Sequence, residues 1–528
     1  MSSTVASPDV VIVGSGHNGL IAGAYLARAG WNTVVLERAS QIGGAVRSGE
    51  VTRPGFIHDL FATNLNLFLG SPVHQELGGE LERHGLGYAT SMAPFANLFA
   101  DGRSLRVWAD RKHTEAEFER HDPLDAAGWR RLRERYERLA PALFAGYASV
   151  MPSWDTVKAL RALGPAAVVD LGRLLSSSTG RLAGEYLHSR EAQALLACWG
   201  MHLDFGPDVR GGAMFPFLEA FTDEALGMSV ARGGASRLPE ALRGLIVQAG
   251  GEVRCDADVA RVIVSDGRAT GVELASGEPI LARRAVIANL TPAILYGRLL
   301  AHARLPRLVR AGARRYRYGP ATMMVHLALS GAPPWAGGDD LQQFAYLHIA
   351  PLPEDLREAY ASAVQGLLPR EPLLVVGQTS AVDPTRAPEG GHVLWVQVRT
   401  LPAHIHGDAA GELSPGPWDA VAEPFADRVV AKLERYAPGL SERVIGRRVL
   451  SPADLERENP NLVGGDSLAG SMHLRQNFLL RPFPGVAPYG TGVKQLYLVG
   501  AGTWPGAGVN ALSGYHVARR LMARFPFD

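Results

Sequence analysis

A short β-branched run, Asp9 to Val13, leads directly into Gly14, Gly16 and Gly19 at the spacing GxGxxG. An Ala/Leu-rich stretch to Ala29 and a second apolar run, Thr33 to Leu36, follow. Strand, helix and strand within about thirty residues require a parallel pair joined by a right-handed crossover, the opening of a doubly wound α/β sheet. Gly30 stands where the helix needs a C-cap. The glycine spacing by itself is weak, because 60 glycines in 528 residues produce it by chance roughly 0.8 times. Its place between a strand and a helix gives it meaning. In the turn formed by Val13, Gly14, Ser15, Gly16, Asn18 and Gly19, a missing Cβ lets the backbone approach a pyrophosphate. The free N–H groups of the helix N-terminus face that charge. Glu37, with Arg38 beside it, ends the second strand 23 residues after Gly14. A carboxylate there accepts hydrogen bonds from ribose hydroxyls, so the N-terminus is expected to bind a dinucleotide.

Composition narrows the rest. Lys and Arg number 53 against 52 Asp and Glu, a formal charge of +1. That balance lacks the field a nucleic-acid face needs, and no nucleic-acid partner is expected. The two cysteines, Cys198 and Cys255, lie too far apart in sequence for a CxxC redox pair, and two are too few for a four-cysteine zinc site, so no metal is expected. The opening MSSTVASPD shows neither a charged n-region nor an Arg-rich transit pattern, and the expected compartment is the cytoplasm. No apolar run reaches the length of a membrane span.

Leu36 and Glu37 are followed after five residues by Gly43, Gly44 and Ala45. This LExxxxxGG spacing resembles the extended FAD fingerprint of the glutathione-reductase-like flavoproteins, particularly the amine oxidase and phytoene desaturase group. That fingerprint often continues with Arg; here Ala45 and Val46 precede Arg47, which points to the phytoene-dehydrogenase-like side. A second segment, Leu496 to Val509 (LYLVGAGTWPGAGV), resembles the C-terminal flavin-contacting part of the same group. With Gly16-His17-Asn18-Gly19-Leu20 and Arg481-Pro482-Phe483-Pro484, the chain looks most like the branch that holds pyridine nucleotide-disulfide oxidoreductase domain-containing protein 2 and the bacterial β-carotene ketolases. Disulfide reduction is not expected, since the chain lacks two nearby cysteines and a second nucleotide domain.

The resemblance implies a glutathione-reductase-like, Rossmann-type α/β FAD domain assembled from both ends of the chain, namely 1–75, 225–295 and 480–528. An α+β substrate domain with a helical region is inserted as 76–224 and 296–479. It further implies that Gly500, Ala501 and Gly502 reach the cofactor and that Val259 contacts adenine through main-chain atoms. A helix N-terminus near Gly508 and Val509 would stabilise negative charge on the reduced ring. No cysteine accompanies that segment, so the FAD is expected to be non-covalent.

Elsewhere the patterning predicts one helix over 114–151, a hairpin with strands 251–264 and 269–274, a strand at 284–288 and a terminal helix over 509–523. The non-cofactor regions offer apolar side chains more readily than paired charges: Phe61, Leu65, Leu67, Phe68 and Leu69, then Met214, Phe215, Phe217, Leu218 and Phe221. These fit either a pocket for a lipophilic substrate or ordinary core. The stretch Thr156 to Leu175 reads as a solvated helix pair or as a surface for peripheral membrane contact. Trp504 reads equally as a neighbour of the flavin or as core, and Asp466, His473 and Arg475 read as structural. The expected reaction is FAD-dependent desaturation or oxidation of a polyene, isoprenoid or lipid-like substrate, with O2 or a quinone as electron acceptor and the catalytic acid and base unassigned. Ketolase-like oxygenation, amine oxidation and a flavin-bearing scaffold without turnover stand as alternatives. None of the four lysines sits where an amine oxidase would place one against the flavin.

Overall fold

The computed structural model describes residues 7–486 and 488–526; the opening residues 1–6 lie outside them. The N-terminal run forms β1 (Val10–Val13), followed by α1 (His17–Arg28) and β2 (Thr33–Leu36). β3 (Glu252–Arg254), β4 (Ala285–Ala288) and β5 (Leu496–Leu498) complete a parallel sheet in the order β5-β4-β1-β2-β3. β1 is central and fully buried, pairing Val13 with Ala288 on one side and with Leu36 on the other. An apolar strand with no polar alternation is what a sheet covered on both faces requires. The helices α2 (Arg237–Gln248) and α3 (Leu512–Arg524) pack on α1, whose residues Asn18 to Ala27 are all buried.

The expected strand 251–264 is two strands in different sheets. Glu252–Arg254 pairs in parallel with β2, whereas Val259–Ser265 turns away into a three-stranded antiparallel sheet with Arg268–Leu274 and Pro279–Leu281. The break falls at Asp256, whose φ of +52° lets the chain change direction.

A seven-stranded mixed sheet occupies the middle of the chain. Its order is 444–450, 321–329, 392–401, 373–377, 346–349, 95–98 and 104–107. Ala321–Leu329 is buried throughout: Met323, Val325 and Leu327 face the helix Trp418–Tyr436, while Met324 faces the helical region. The helix expected over 114–151 is divided into Arg111–His121 and Pro123–Ala148. Asp122 ends the first and caps the second through Leu124 N, and Pro123 suits the first helical position. The stretch Thr156 to Leu175 lies in the helix Trp154–Ser176, interrupted at Gly164 by a φ of +75°. Asp170 ties it to Arg135 and Arg138 of the preceding helix, so it is one half of a helix pair. Among the described residues no helix is long and apolar enough to cross a membrane.

Candidate active site

At the carboxyl ends of β1 and β2 the chain leaves a cleft of about 1140 Å³, part of it open to solvent. Val13, Gly14, Gly16, Asn18, Glu37, Arg38, Gly44, Ala45, Val259, Gly500, Ala501 and Gly502 all line it. This is where an open parallel sheet places a ligand. Gly14 has a φ of +93° and its N–H donates to Leu36 O at 2.7 Å, which folds the turn back against β2. At Gly16 a Cβ would stand 2.5 Å from Asn289 Nδ2, so only glycine leaves the backbone bare there. Glu37 is already oriented: Oε2 accepts from Ser15 N at 2.9 Å and Ser15 Oγ at 2.7 Å, and Oε1 accepts from Ala39 N at 2.9 Å.

Three of the expected residues stand behind the cleft. Ser15 is buried and spends its side chain on Glu37. Gly19 packs under the Gly14 carbonyl, and Gly43 donates its N–H to Ser15 O at 3.1 Å, bracing the turn. Asn18 lines the cleft, but its Oδ1 accepts from Ser513 Oγ and Gly514 N at the start of α3. Ser513 Oγ in turn accepts from Gly500 N at 2.8 Å, so one side chain couples the first and last turns of the fold.

Two expectations change. The terminal helix begins at Leu512, after Ala511 in a left-handed conformation with φ +67°; it does not begin at Val509. Gly506 and Gly508, with φ near +108° and +101°, keep the backbone irregular until Asn510 Oδ1 accepts from Leu512 N. Gly508 and Val509 line a second cavity and form no helix N-terminus. Trp504 is core: its Nε1 donates to Ser149 O, and its ring packs on Tyr147 and Phe478.

Sequence reasoning missed the strap that crosses the cleft. Glu458, Asn459, Pro460, Asn461 and Leu462 line it from far along the chain. Arg47 pairs with Glu458 at 2.9 Å, Arg38 donates to the carbonyls of Arg457 and Glu458, and Asn461 Oδ1 accepts from Thr291 N. Asn289, wedged between Gly16 and Gly500, was also missed. Only its position just after β4 marks it in the sequence.

The second cavity, about 1080 Å³, adjoins the cleft, and Ala45, Leu462 and Ser467 line both. Its floor is one face of the seven-stranded sheet, with Thr322, Met324, Tyr346, Trp395, Gln397 and Arg399. Its roof comes from the segment 199–223. Of the expected apolar residues, Phe61, Leu67 and Leu218 line it, whereas Leu65 and Phe68 are core. Met214, Phe215, Phe217 and Phe221 are core of the helical region; Phe221 stacks on Trp129 and Tyr136. Leu69 is half-buried and away from the cavity.

The cavity is more polar than the sequence reading expected. Glu219 and Asp223 line it four residues apart, a spacing that places both on one face of a helical turn and was legible as such. Burial pushes the Glu219 carboxyl up to about 7 against the pull of Arg399. Burial, then the neighbouring Glu219, raises Asp223 well above the usual carboxylate range. His202 is held well below its ordinary value by burial and by His348 and Arg399; its Nε2 shares one hydrogen bond with His348 Nε2 at 2.8 Å. Arg399 donates to Met201 O, His202 O and Ser467 Oγ, so its charge faces a helix C-terminus. Asp466 is structural: it accepts from the N–H groups of Gly319, Leu468 and Gly470. His473 Nε2 donates to Asp204 O at 2.8 Å, and Arg475 lies on the short turn Leu474–Gln476. Cys198 and Cys255 are both free thiols.

The profile described as flavin containing amine oxidoreductase matches residues 19–438. Pyridine nucleotide-disulfide oxidoreductase domain-containing protein 2 of Rattus norvegicus is 30% identical over 97% of this chain and 92% of its own. A phytoene desaturase (neurosporene-forming) of Cereibacter sphaeroides is 26% identical over 98% of this chain and 94% of its own. Among solved structures, an oxidoreductase from Methanosarcina mazei superposes with a TM-score of 0.60 at 16% identity, covering 97% of this chain and 99% of that one.

Proposed function

The chain belongs to the flavin containing amine oxidoreductase family, and from that premise we propose that it is an FAD-dependent oxidoreductase acting on a hydrophobic, isoprenoid or lipid-like substrate. The observation that supports this reading is the adjoining pair of cavities, one built like a dinucleotide cleft and one walled by aromatic and aliphatic side chains. FAD fits the first. The backbone is bare at Gly16, Glu37 is oriented by two backbone amides, and Gly500 to Gly502 face the same space. Val13, Gly14, Gly16 and Asn18 would hold the pyrophosphate, with Ser15 and Gly19 shaping the turn from behind, Glu37 with Arg38 the ribose, and Val259 the adenine. Gly43, Gly44 and Ala45 would support the central part, and Gly500, Ala501, Gly502, Gly508 and Val509 the flavin end. No covalent link is needed. Bound there, FAD supplies a two-electron acceptor for a C–H bond of the substrate.

In this reading residues 1–75, 225–295 and 480–528 carry the cofactor, and 76–224 with 296–479 carry the substrate, the 458–462 strap reaching back over the cleft. The sheet floor and the helical roof would hold the reacting carbon against the shared wall at Ala45, Leu462 and Ser467. A phytoene desaturase among the relatives supports an apolar isoprenoid as the substrate class.

The test is to purify the protein, record its visible spectrum, release the chromophore by acid precipitation and weigh it. A bleachable FAD, reduced anaerobically by an isoprenoid whose mass falls by two hydrogens, is the expected result. A colourless protein that FAD does not reconstitute would sink the proposal.

A further inference from the structure

This inference rests on the second cavity being the substrate chamber and asks what kind of molecule that chamber accepts. Most of its wall is apolar or aromatic: Phe61, Leu67, Leu218, Met324, Tyr346 and Trp395. A pure hydrocarbon would need nothing else. Yet three polar side chains line this space with pairing from the protein that is incomplete. Asp223 is 2% exposed; its Oδ1 accepts from Asn66 Nδ2 at 2.6 Å with Asn64 beside it, and its Oδ2 has no hydrogen bond. The Glu219 side chain, 26% exposed, lines the cavity with a basic nitrogen, His202 Nδ1, at 3.8 Å. Trp199, 1% exposed and lining the same cavity, carries an unpartnered indole N–H. Buried polar atoms are nearly always satisfied, so two unsatisfied ones, Asp223 Oδ2 and Trp199 Nε1, on residues that line one cavity mark a place where something else supplies the partner.

We infer that the chamber takes an otherwise apolar substrate bearing a hydrogen-bond-donating group, a hydroxyl or a protonated amine, which Glu219 and Asp223 receive. A carboxyl pair that resists double ionisation presents both an acceptor and a proton, which suits a hydroxyl; the full negative charge of either member suits an ammonium. Both chemistries share the donor, and the choice between them is experimental.

The experiment titrates the flavin-loaded protein, as purified, with three ten-carbon probes: geraniol, geranylamine and the hydrocarbon myrcene. Binding is followed by the shift of the flavin visible band and by the change in intrinsic tryptophan fluorescence, to which Trp199 and Trp395 in the cavity wall contribute. Geraniol or geranylamine is expected to bind at least tenfold more tightly than myrcene, and whichever does so identifies the donor. Glu219→Leu and Asp223→Leu should each bring that preference below threefold. Glu219→Gln, which keeps an acceptor oxygen, should retain a preference for geraniol. In the Asp223 variant Asn66 Nδ2 still has Gly227 O, and retained flavin reports its fold. If a variant loses flavin, the wild-type ratio decides alone. Equal binding of all three probes, or a preference that survives both leucine variants, overturns the inference and leaves the proposed function standing. Binding of none of the three overturns both.

Discussion

Gly16 shows how much a single position carries. Its backbone is exposed to the cleft because a side chain there would collide with Asn289, which also sits against Gly500 on the last strand's turn. Gly16→Val should therefore displace Asn289 and fill the space expected for a pyrophosphate. The flavin content of the purified variant should fall at least tenfold, read as the ratio of visible to 280 nm absorbance; stoichiometric flavin in that variant would show the site to be misassigned. Glu37 was legible from its spacing alone, and so was the turn that carries Gly14. Asn289 was not, because nothing local distinguishes an Asn after a strand from any loop residue. Glu219 and Asp223 were visible as an acidic pair four residues apart in an aromatic stretch. Their facing a cavity depends on the sheet 100 or more residues further along the chain.

At the level of elements, the contact between α1 and α3 joins the two ends of the sequence. Asn18 Oδ1 accepts from Ser513 Oγ and Gly514 N, and a Cβ on Gly514 would lie 2.0 Å from Asn18 O. Gly514→Val should push the two helices apart at this point. Overpacking of this kind costs about 1–3 kcal/mol, measured as a lower urea midpoint with unchanged slope; an unchanged midpoint would mean that the helices do not meet as described. Local periodicity located β1, α1, β2 and the last strand, since each is an apolar run whose period is self-evident over a few residues. It failed at 251–264, where one alternating run feeds two sheets, and at 509–511, where a helix-compatible sequence stays irregular between positive-φ residues. In both places the register of a distant partner decides the backbone.

For the whole molecule, the buried imidazoles set a pH dependence. Burial pushes His58 down to about 2, His348 to about 3 and His326 to about 4, with His326 and Arg386 adding to the effect at His58; the half-buried His17 and His516 are pushed to about 4 by the same cause. The native state refuses protons that the unfolded chain takes up below its ordinary imidazole value of about 6.5. Their contribution is therefore present above that pH and lost as the pH falls towards the folded values. Glu219, raised to about 7, and Asp466, raised to about 6, both first by burial, act oppositely: their contribution is present at low pH and lost as the pH rises towards those values. With His202 also held low and Asp223 also raised, both first by burial, the imidazoles still outnumber the carboxyls, so the melting temperature should fall on acidification from pH 7.5 to pH 5. A level or rising melting temperature over that range would contradict the burial of these histidines.

By itself the sequence was enough to locate the strand, turn and helix of the opening, the carboxylate that accompanies them and the apolar strand near the chain's end. Each of these is a local pattern whose physical demand, an extended apolar run or a turn without Cβ, is met within thirty residues. The tertiary structure alone decided which apolar residues became core and which became cavity wall. It also decided that a strap at 458–462 spans the cleft, and that two carboxyls line the second cavity. Burial is a property of the whole packed chain, and a side chain's chemistry becomes a site only when residues far away in sequence remove its water.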